Sequence, residues 1–359
     1  MAKDGQRPRK PRSPAADRPR PPSMADVAAM AGVSAQTVSR VLNATARVDG
    51  ATRDRVVRAV RMLGYRPNTA ARALATGRFR MIGVISFDLT AHGNARTLDS
   101  IVAAVQSTEY SVNVVVPQAQ TQEAVLEAFR RLSGHAVDGV IVNEAQILTG
   151  SLVLPWGLPV VVVDGGEDHR YPGVHTDHAA GAEIAVTHLL GLGHATVWHL
   201  AGPQDSHPAR RRAEAWQRVL RAAGAPVPQA VHGDWSAESG YRAGRELAGR
   251  PEVTAVFAAN DQMALGLVRA LRDAGRAVPE DVSVIGFDNI AESGYFLPPL
   301  TTVDQDLTRV GAACVDRLLS QIDGAAPTDS SIVSVMPTLV ERDSTAPPRV
   351  PKYAKGYGR

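Results

Sequence analysis

From Phe79 onward the chain alternates short aliphatic runs with helical stretches, and no other feature narrows the possible folds as far. The runs are Met81–Phe87, Val112–Val116, Val137–Val142, Val160–Val163, Thr196–Leu200, Ala255–Ala258 and Val282–Phe287. Unbroken Val/Ile runs suit strands buried on both faces, and the segments between them suit crossover helices, so the pattern predicts parallel α/β sheets. A body of about 270 residues with roughly ten such runs is long for one sheet and predicts two βαβ subdomains. Aromatic residues make up only 5% of the chain, so this core must be aliphatic.

Ahead of Phe79 the character changes. Residues 1–80 hold 17 Lys and Arg against 5 Asp and Glu, a net +12, while the rest of the chain holds 22 against 31, a net −9. A basic front on an acidic body points to a polyanionic partner, nucleic acid first, with a solubilising basic tail as the plainer alternative. Residues 1–22 are rich in Pro and Arg and carry almost no large apolar side chain, so they are expected to form a disordered basic arm. Ser344–Arg359 is again Pro-rich and basic. It is expected to be a disordered tail, with no leucine heptad to form a C-terminal coiled coil.

Residues 23–66 read as a compact set of helices. Ser23 and Asp26 form a capping box, with Asp in the usual Glu position, for a helix running to about Met30. Gly32 permits a tight turn, and Ser34 caps a second helix from Ala35 to about Leu42. A third helix, from about Thr52 to Leu63, stops at Gly64. Val27, Ala31, Val38, Val41, Leu42, Val56, Val60 and Leu63 can converge as one small core, and Ala28, Ala31 and Gly32 allow close approach of the first two helices. This is the spacing of a helix-turn-helix. With its apolar face inward, the second helix turns Ala35, Gln36, Ser39 and Arg40 outward. Gln can pair bidentately with adenine and Arg with guanine in the major groove, while Thr37 and Asn43 can hold phosphates. A solvated helix face is the competing explanation.

The stretch from Met24 to Arg78, which opens MADVAAMAGVSAQTVSRVLN, resembles the DNA-binding headpiece of the lactose-repressor (LacI/GalR) family, and the likeness runs on to about residue 343. The resemblance implies that Ser34, Ala35, Gln36, Thr37, Ser39, Arg40 and Asn43 contact DNA. It also implies a hinge helix and linker over 67–79, in which Asn68, Ala71 and Leu74 meet DNA and Leu74 enters the minor groove. A wedged apolar side chain kinks the duplex, and a helix of about nine residues (Pro67–Ala75) folds only against a partner. For 80–343 the resemblance implies an effector-binding core like the periplasmic sugar-binding proteins. Its two doubly wound parallel-sheet subdomains would be about 80–176 plus 304–334, and 177–303 plus 335–343, with three crossing strands.

Several runs end in polar groups, where ligands of parallel sheets usually sit. Asp164 follows Val160–Val163, Asn260 follows Ala255–Ala259, and Asp288 follows Val282–Phe287. Trp235 lies in GDWSAESGY and offers an apolar face to a sugar ring. The family's inducer site has matching positions for Asp164, Arg212, Trp235, Asn260, Asp288 and Gln305. Capping competes as the role of Asp164, Asp288 and Asn260, and core packing as that of Trp235. The chain departs from the family's type member at Pro117–Thr121, where a pocket arginine is missing, at Pro208, aligned with a pocket serine, and over Ser86–Thr97, where Asp88, His92 and Asn94 are possible sugar contacts.

Other classes fit less well. The single cysteine, Cys314, excludes an intrachain disulfide and a Cys-rich zinc site. No apolar run approaches the roughly 18 residues of a membrane span, and the basic N-terminus has no apolar signal core, so a cytoplasmic location is expected. G-x-S-x-G, the Walker A loop, H-E-x-x-H and a dinucleotide glycine fingerprint after a strand are all missing, so no enzyme is expected. His188, His194, His199 and His207 share no metal spacing, and neither metal nor cofactor is expected. The reading that results is a homodimeric repressor of sugar-utilisation genes, released from a palindromic double-stranded operator by a small sugar or sugar derivative. A co-repressor-dependent regulator and a cytoplasmic sugar-binding protein without a DNA role are the alternatives.

Overall fold

The computed structural model describes residues 20–43, 48–66, 73, 76–143, 152–155, 157–165, 170–324 and 332–349. The chain divides into two compact units, Met1–Arg78 and Phe79–Arg359.

In the first unit, α1 (Met24–Ala31), α2 (Ala35–Asn43) and α3 (Gly50–Leu63) pack around Val27, Ala28, Ala31, Val38, Val56 and Ala59. The capping box forms as read: Ser23 Oγ accepts from Asp26 N at 3.3 Å and Asp26 Oδ2 accepts from Ser23 N at 2.8 Å. Asp26 also meets Arg20, a residue of the segment read as a disordered arm, at 3.1 Å. Gly32 turns the chain with φ 65°, a left-handed conformation open to glycine without a Cβ penalty. Ser34 Oγ accepts from Thr37 N at 3.1 Å and caps α2. The third helix starts earlier than its apolar pattern indicates, because Asp49 caps it by accepting from Thr52 N at 2.9 Å. Tyr65, just past the helix, closes the core, which periodicity within the helices could not reveal.

The second unit holds two parallel sheets. The first comprises β1 (Met81–Ser86), β2 (Ser111–Val115), β3 (Gly139–Asn143), β4 (Val160–Val163), β5 (Gly173–Thr176) and β11 (Ile332–Val335), in the order β11-β5-β4-β3-β1-β2. Alternation sends Ile82, Val84 and Ile141 to one face, against Ile101 of α4 (His92–Gln106) and Leu318 of α10 (Leu307–Ile322). Ile85, Val140 and Val142 go to the other, against Phe129 and Leu132 of α5 (Gln122–Gly134). The second sheet comprises β6 (Trp198–Ala201), β7 (Val231–His232), β8 (Ala255–Ala258) and β9 (Ser283–Ile285), in the order β7-β6-β8-β9. Its faces are covered by α6 (His178–Gly191) and α7 (His207–Ala222) on one side and by α8 (Ala237–Ala248) and α9 (Asp261–Asp273) on the other. A Cβ on Gly266 would lie 1.9 Å from the Ala237 carbonyl oxygen, so α8 and α9 can touch backbone to backbone only with glycine there. Both sheets are therefore doubly wound, as the alternation of runs and helices required.

The chain passes between the sheets after β5, again after β10 (Thr302–Asp304), and again between β11 and β12 (Thr338–Val340), the last two crossing as an antiparallel pair. The segment read as a free tail is partly built in. Ser344 is fully buried, donates to Val284 O at 2.6 Å and accepts from Thr301 N at 2.8 Å, and Arg349 pairs with Asp281 at 2.7 Å. Hydroxyls rather than apolar groups hold this strap, so hydropathy gave no sign of it. Residues 350–359 of the tail lie outside the described residues, as do 1–19 of the arm.

Candidate functional site

On α2, Ser34, Ala35, Gln36 and Arg40 are exposed, and Thr37 and Ser39 are half-buried. Gln36 and Arg40 are four residues apart and so share one face of the helix. Val38 on the opposite face is fully buried, which fixes the outward set. Thr37 Oγ1 lies 3.0 Å from Ser34 Oγ, so these two side chains tie the turn to the helix. Asn43 ends the helix, and its side chain lies outside the described residues, as do Asn68, Ala71, Leu74 and most of the expected hinge helix.

In the body a cavity of about 260 Å³ opens where strands of both sheets end. Asp164, Arg212, Trp235, Asn260, Asp288 and Gln305 all line it, as do Asp88, His92 and Asn94, and Pro208. The backbone explains the convergence. Asp88, Asp164 and Asp288 each follow a strand of a parallel sheet, at φ 23°, 49° and 115°, and Trp235 sits at φ 74°. Positive φ is costly for residues with a side chain, roughly 1–3 kcal/mol each, and such strain collects where packing aims a side chain for use.

Arg212 reaches the cavity from α7 and is almost wholly buried. Its guanidinium lies over the Phe287 ring at 3.6 Å, donates to the Ala259 carbonyl and stands 3.8 Å from Asp288. Burial draws it down to about 10, which leaves it charged at neutral pH. Arg212 also donates to His178 Nδ1 at 3.2 Å, and His178 Nε2 meets Asp164 Oδ1 at 3.3 Å. Burial holds His178 below the ordinary imidazole value. Burial pushes Asp164 up, but His178, His175 and the Thr176 amide together outweigh it and hold the carboxyl below its ordinary value. Asp288 accepts from Gln305 at 2.6 Å, and burial pushes it up against the pull of Arg212.

The competing roles separate here. Asp164 accepts from Thr176 N and His178 and Asp288 from Gln305, so neither carboxylate caps the turn that follows it. Asn260 does cap its helix, accepting from Met263 N at 2.9 Å, and its Nδ2 donates to Trp235 O at 3.0 Å. Trp235 packs on the edge of the core with one side toward the cavity, and its ring lies so close to Gly202 that a Cβ there would come within 2.4 Å. Asn94 is buried and donates to Phe87 O at 3.1 Å, so it shapes the loop. His178 escaped the sequence reading. It lies two residues past the end of β5, close to the strand-end position that marked Asp164. Asp261, beside Asn260, is fully buried and accepts from Thr302 Oγ1 at 2.6 Å and Ile290 N at 2.9 Å. Burial and the neighbouring Asp288 push it up to about 8.

A helix-turn-helix whose second helix exposes Ala35, Gln36 and Arg40, and a two-subdomain α/β body with a polar cleft, together define a ligand-responsive DNA-binding regulator. Residues 23–68 match bacterial regulatory proteins of the lacI family, and 186–345 match the periplasmic binding protein-like domain. The chain is 35% identical over 334 residues to the lactose operon repressor of Escherichia coli (strain K12), covering 92% of each. The structure of the lac repressor dimer bound to operator and the anti-inducer ONPF superposes with a TM-score of 0.79 at 33% identity, over 91% of this chain and all of that one. A complex of the transcriptional regulator CelR with cellobiose superposes at 0.68 and 30% identity, over 90% of this chain and 99% of that one. The protein belongs to the lacI family of bacterial transcriptional regulators. No helix among the described residues is long and apolar enough to cross a membrane.

Proposed function

We propose that this protein is a cytoplasmic homodimeric repressor that reads a palindromic operator through α2 and is released from it by a small sugar bound in the cleft. The convergence of Asp164, Arg212, Trp235, Asn260, Asp288 and Gln305 on one cavity carries the reading. Carboxylate, amide and guanidinium groups both accept from and donate to hydroxyls, and Trp235 offers an apolar ring face. Relatives whose structures hold operator or cellobiose support the two halves of the reading. Two headpieces in a dimer match the two-fold symmetry of a palindrome, and Tyr295 and Leu297, 90% and 76% exposed, supply apolar surface for pairing. The protein has no enzymatic role in this reading.

Ligand between the subdomains changes how they close. It shifts the DNA-binding equilibrium only by its differential affinity for the two states, for which a coupling of ~1–3 kcal/mol is expected. The test selects a DNA site from a random pool and then titrates a sugar panel against the complex, following anisotropy of the DNA. The expected result is a palindromic site whose occupancy falls as the effective sugar is added. A rise in affinity would make the ligand a co-repressor and overturn the sign, and failure to select any sequence would overturn the regulator reading.

A further inference from the structure

The cleft carries more negative than positive charge. Asp88, Asp164, Asp234 and Asp288 line it, and Arg212 is the one guanidinium or ammonium group among its described lining residues. Arg212 is already engaged by the Ala259 carbonyl, the Phe287 ring and His178. His178 adds no charge. An arginine only donates, so Nδ1 must accept, and the ring's single proton sits on Nε2, facing Asp164. A second proton on the ring would break the bond from Arg212.

The helix N-termini at the cleft offer little more to an anion. Asn260 closes that of α9 and Ser206 that of α7. The N-terminus of α4 has no side-chain cap, and His92 lies in its first turn, but the Asp88 carboxylate stands just ahead of it in the same cavity wall.

We infer that the cleft admits uncharged polyhydroxyl ligands and excludes their phosphorylated or carboxylated counterparts, with His178 as the positioning residue that holds Arg212 and Asp164 in this arrangement. The inference rests on the sugar reading above and narrows it to a charge class. An anionic group in the cleft faces the buried carboxylates of Asp164 and Asp288, with Asp88 and Asp234 exposed at the rim, and a single, already engaged guanidinium, and like charges in a desolvated site repel strongly.

Isothermal titration of the full chain with matched pairs tests this. The pairs are D-glucose and D-glucose 6-phosphate, D-galactose and D-galacturonate, and D-ribose and D-ribose 5-phosphate. In any pair that registers, the neutral member is expected to bind at least about a hundredfold more tightly. The ¹⁵N shifts of His178 in the ligand-free protein give a second readout, which a packing role would not dictate: Nδ1 unprotonated and Nε2 protonated at neutral pH. An anionic member that binds as tightly as its neutral partner overturns the inference and leaves the sugar reading standing, with the N-terminus of α4 and His92 as the anion's site. A doubly protonated His178 overturns its positioning role. Failure of every member of every pair to bind overturns the sugar reading and this inference with it.

Discussion

Gln305 donates its Nε2 to Asp288 Oδ1 at 2.6 Å, linking the turn before α10, which packs on the first sheet, to the end of β9 in the second. One carboxylate oxygen is thereby committed, and the other is the acceptor that the proposed effector would use. Asp288→Asn turns that acceptor into a donor or leaves it mismatched, at a cost of ~1–3 kcal/mol for an unsatisfied polar group in a dry site. Calorimetry with the effector should show that loss, while operator binding without ligand should match the parent. Equal ligand affinity in the variant would remove Asp288 from the binding set.

Trp235 depends on Gly202, a residue that is not among those lining the cavity. A methyl group at Gly202 would lie 2.4 Å from Cη2 of the Trp235 ring, so Gly202→Ala must push the ring out of its place beside the cleft. An aromatic face contributes ~0.5–1.5 kcal/mol beyond its area, so ligand affinity should drop up to about tenfold. Trp235 fluorescence should shift in the same variant. An unmoved spectrum together with full affinity would show that the ring has room to spare.

Arg40 is exposed on the face of α2 that also carries Gln36. Arg40→Ala should cost ~1–3 kcal/mol on the selected operator and relax preference at one base position. Anisotropy titrations against every base at that position measure both effects. A uniform loss across all sequences would make Arg40 a phosphate contact.

Asp261 should shape the pH dependence of stability. Its folded value, raised to about 8, exceeds the unfolded carboxyl value near 3.9, so the folded chain holds a proton that the unfolded chain has lost. Its contribution is present at acid pH and is lost as pH rises toward about 8, levelling off above. Asp261→Asn keeps a partner for Thr302 and Ile290 and cannot ionise, so the fall in thermal midpoint from weakly acid to weakly alkaline pH should be smaller in the variant. A parallel decline in both proteins would place the titration elsewhere.

The sequence by itself determined the parts whose physics is local. Aliphatic runs such as Val160–Val163 specify buried parallel strands because no polar position interrupts them. Ser23, Gly32 and Ser34 specify the ends and the turn of the first two helices because caps and left-handed turns depend on neighbours within about four residues. Asp164, Asn260 and Asp288 were legible as a site because strand ends of parallel sheets open onto clefts wherever the strands pair.

The tertiary structure alone decided what these residues do. Asn260 spends its Oδ1 on its own helix, Asp288 gives one oxygen to Gln305, and Asp164 is held by His178. The partners lie up to 17 residues apart in these last two pairs, on elements whose approach no periodicity encodes. Arg212 finds Ala259, 47 residues away, and the strap at Ser344 finds Val284, 60 residues back. Which lone pair remains free for a ligand depends on such distant contacts, and they exist only after both sheets have packed.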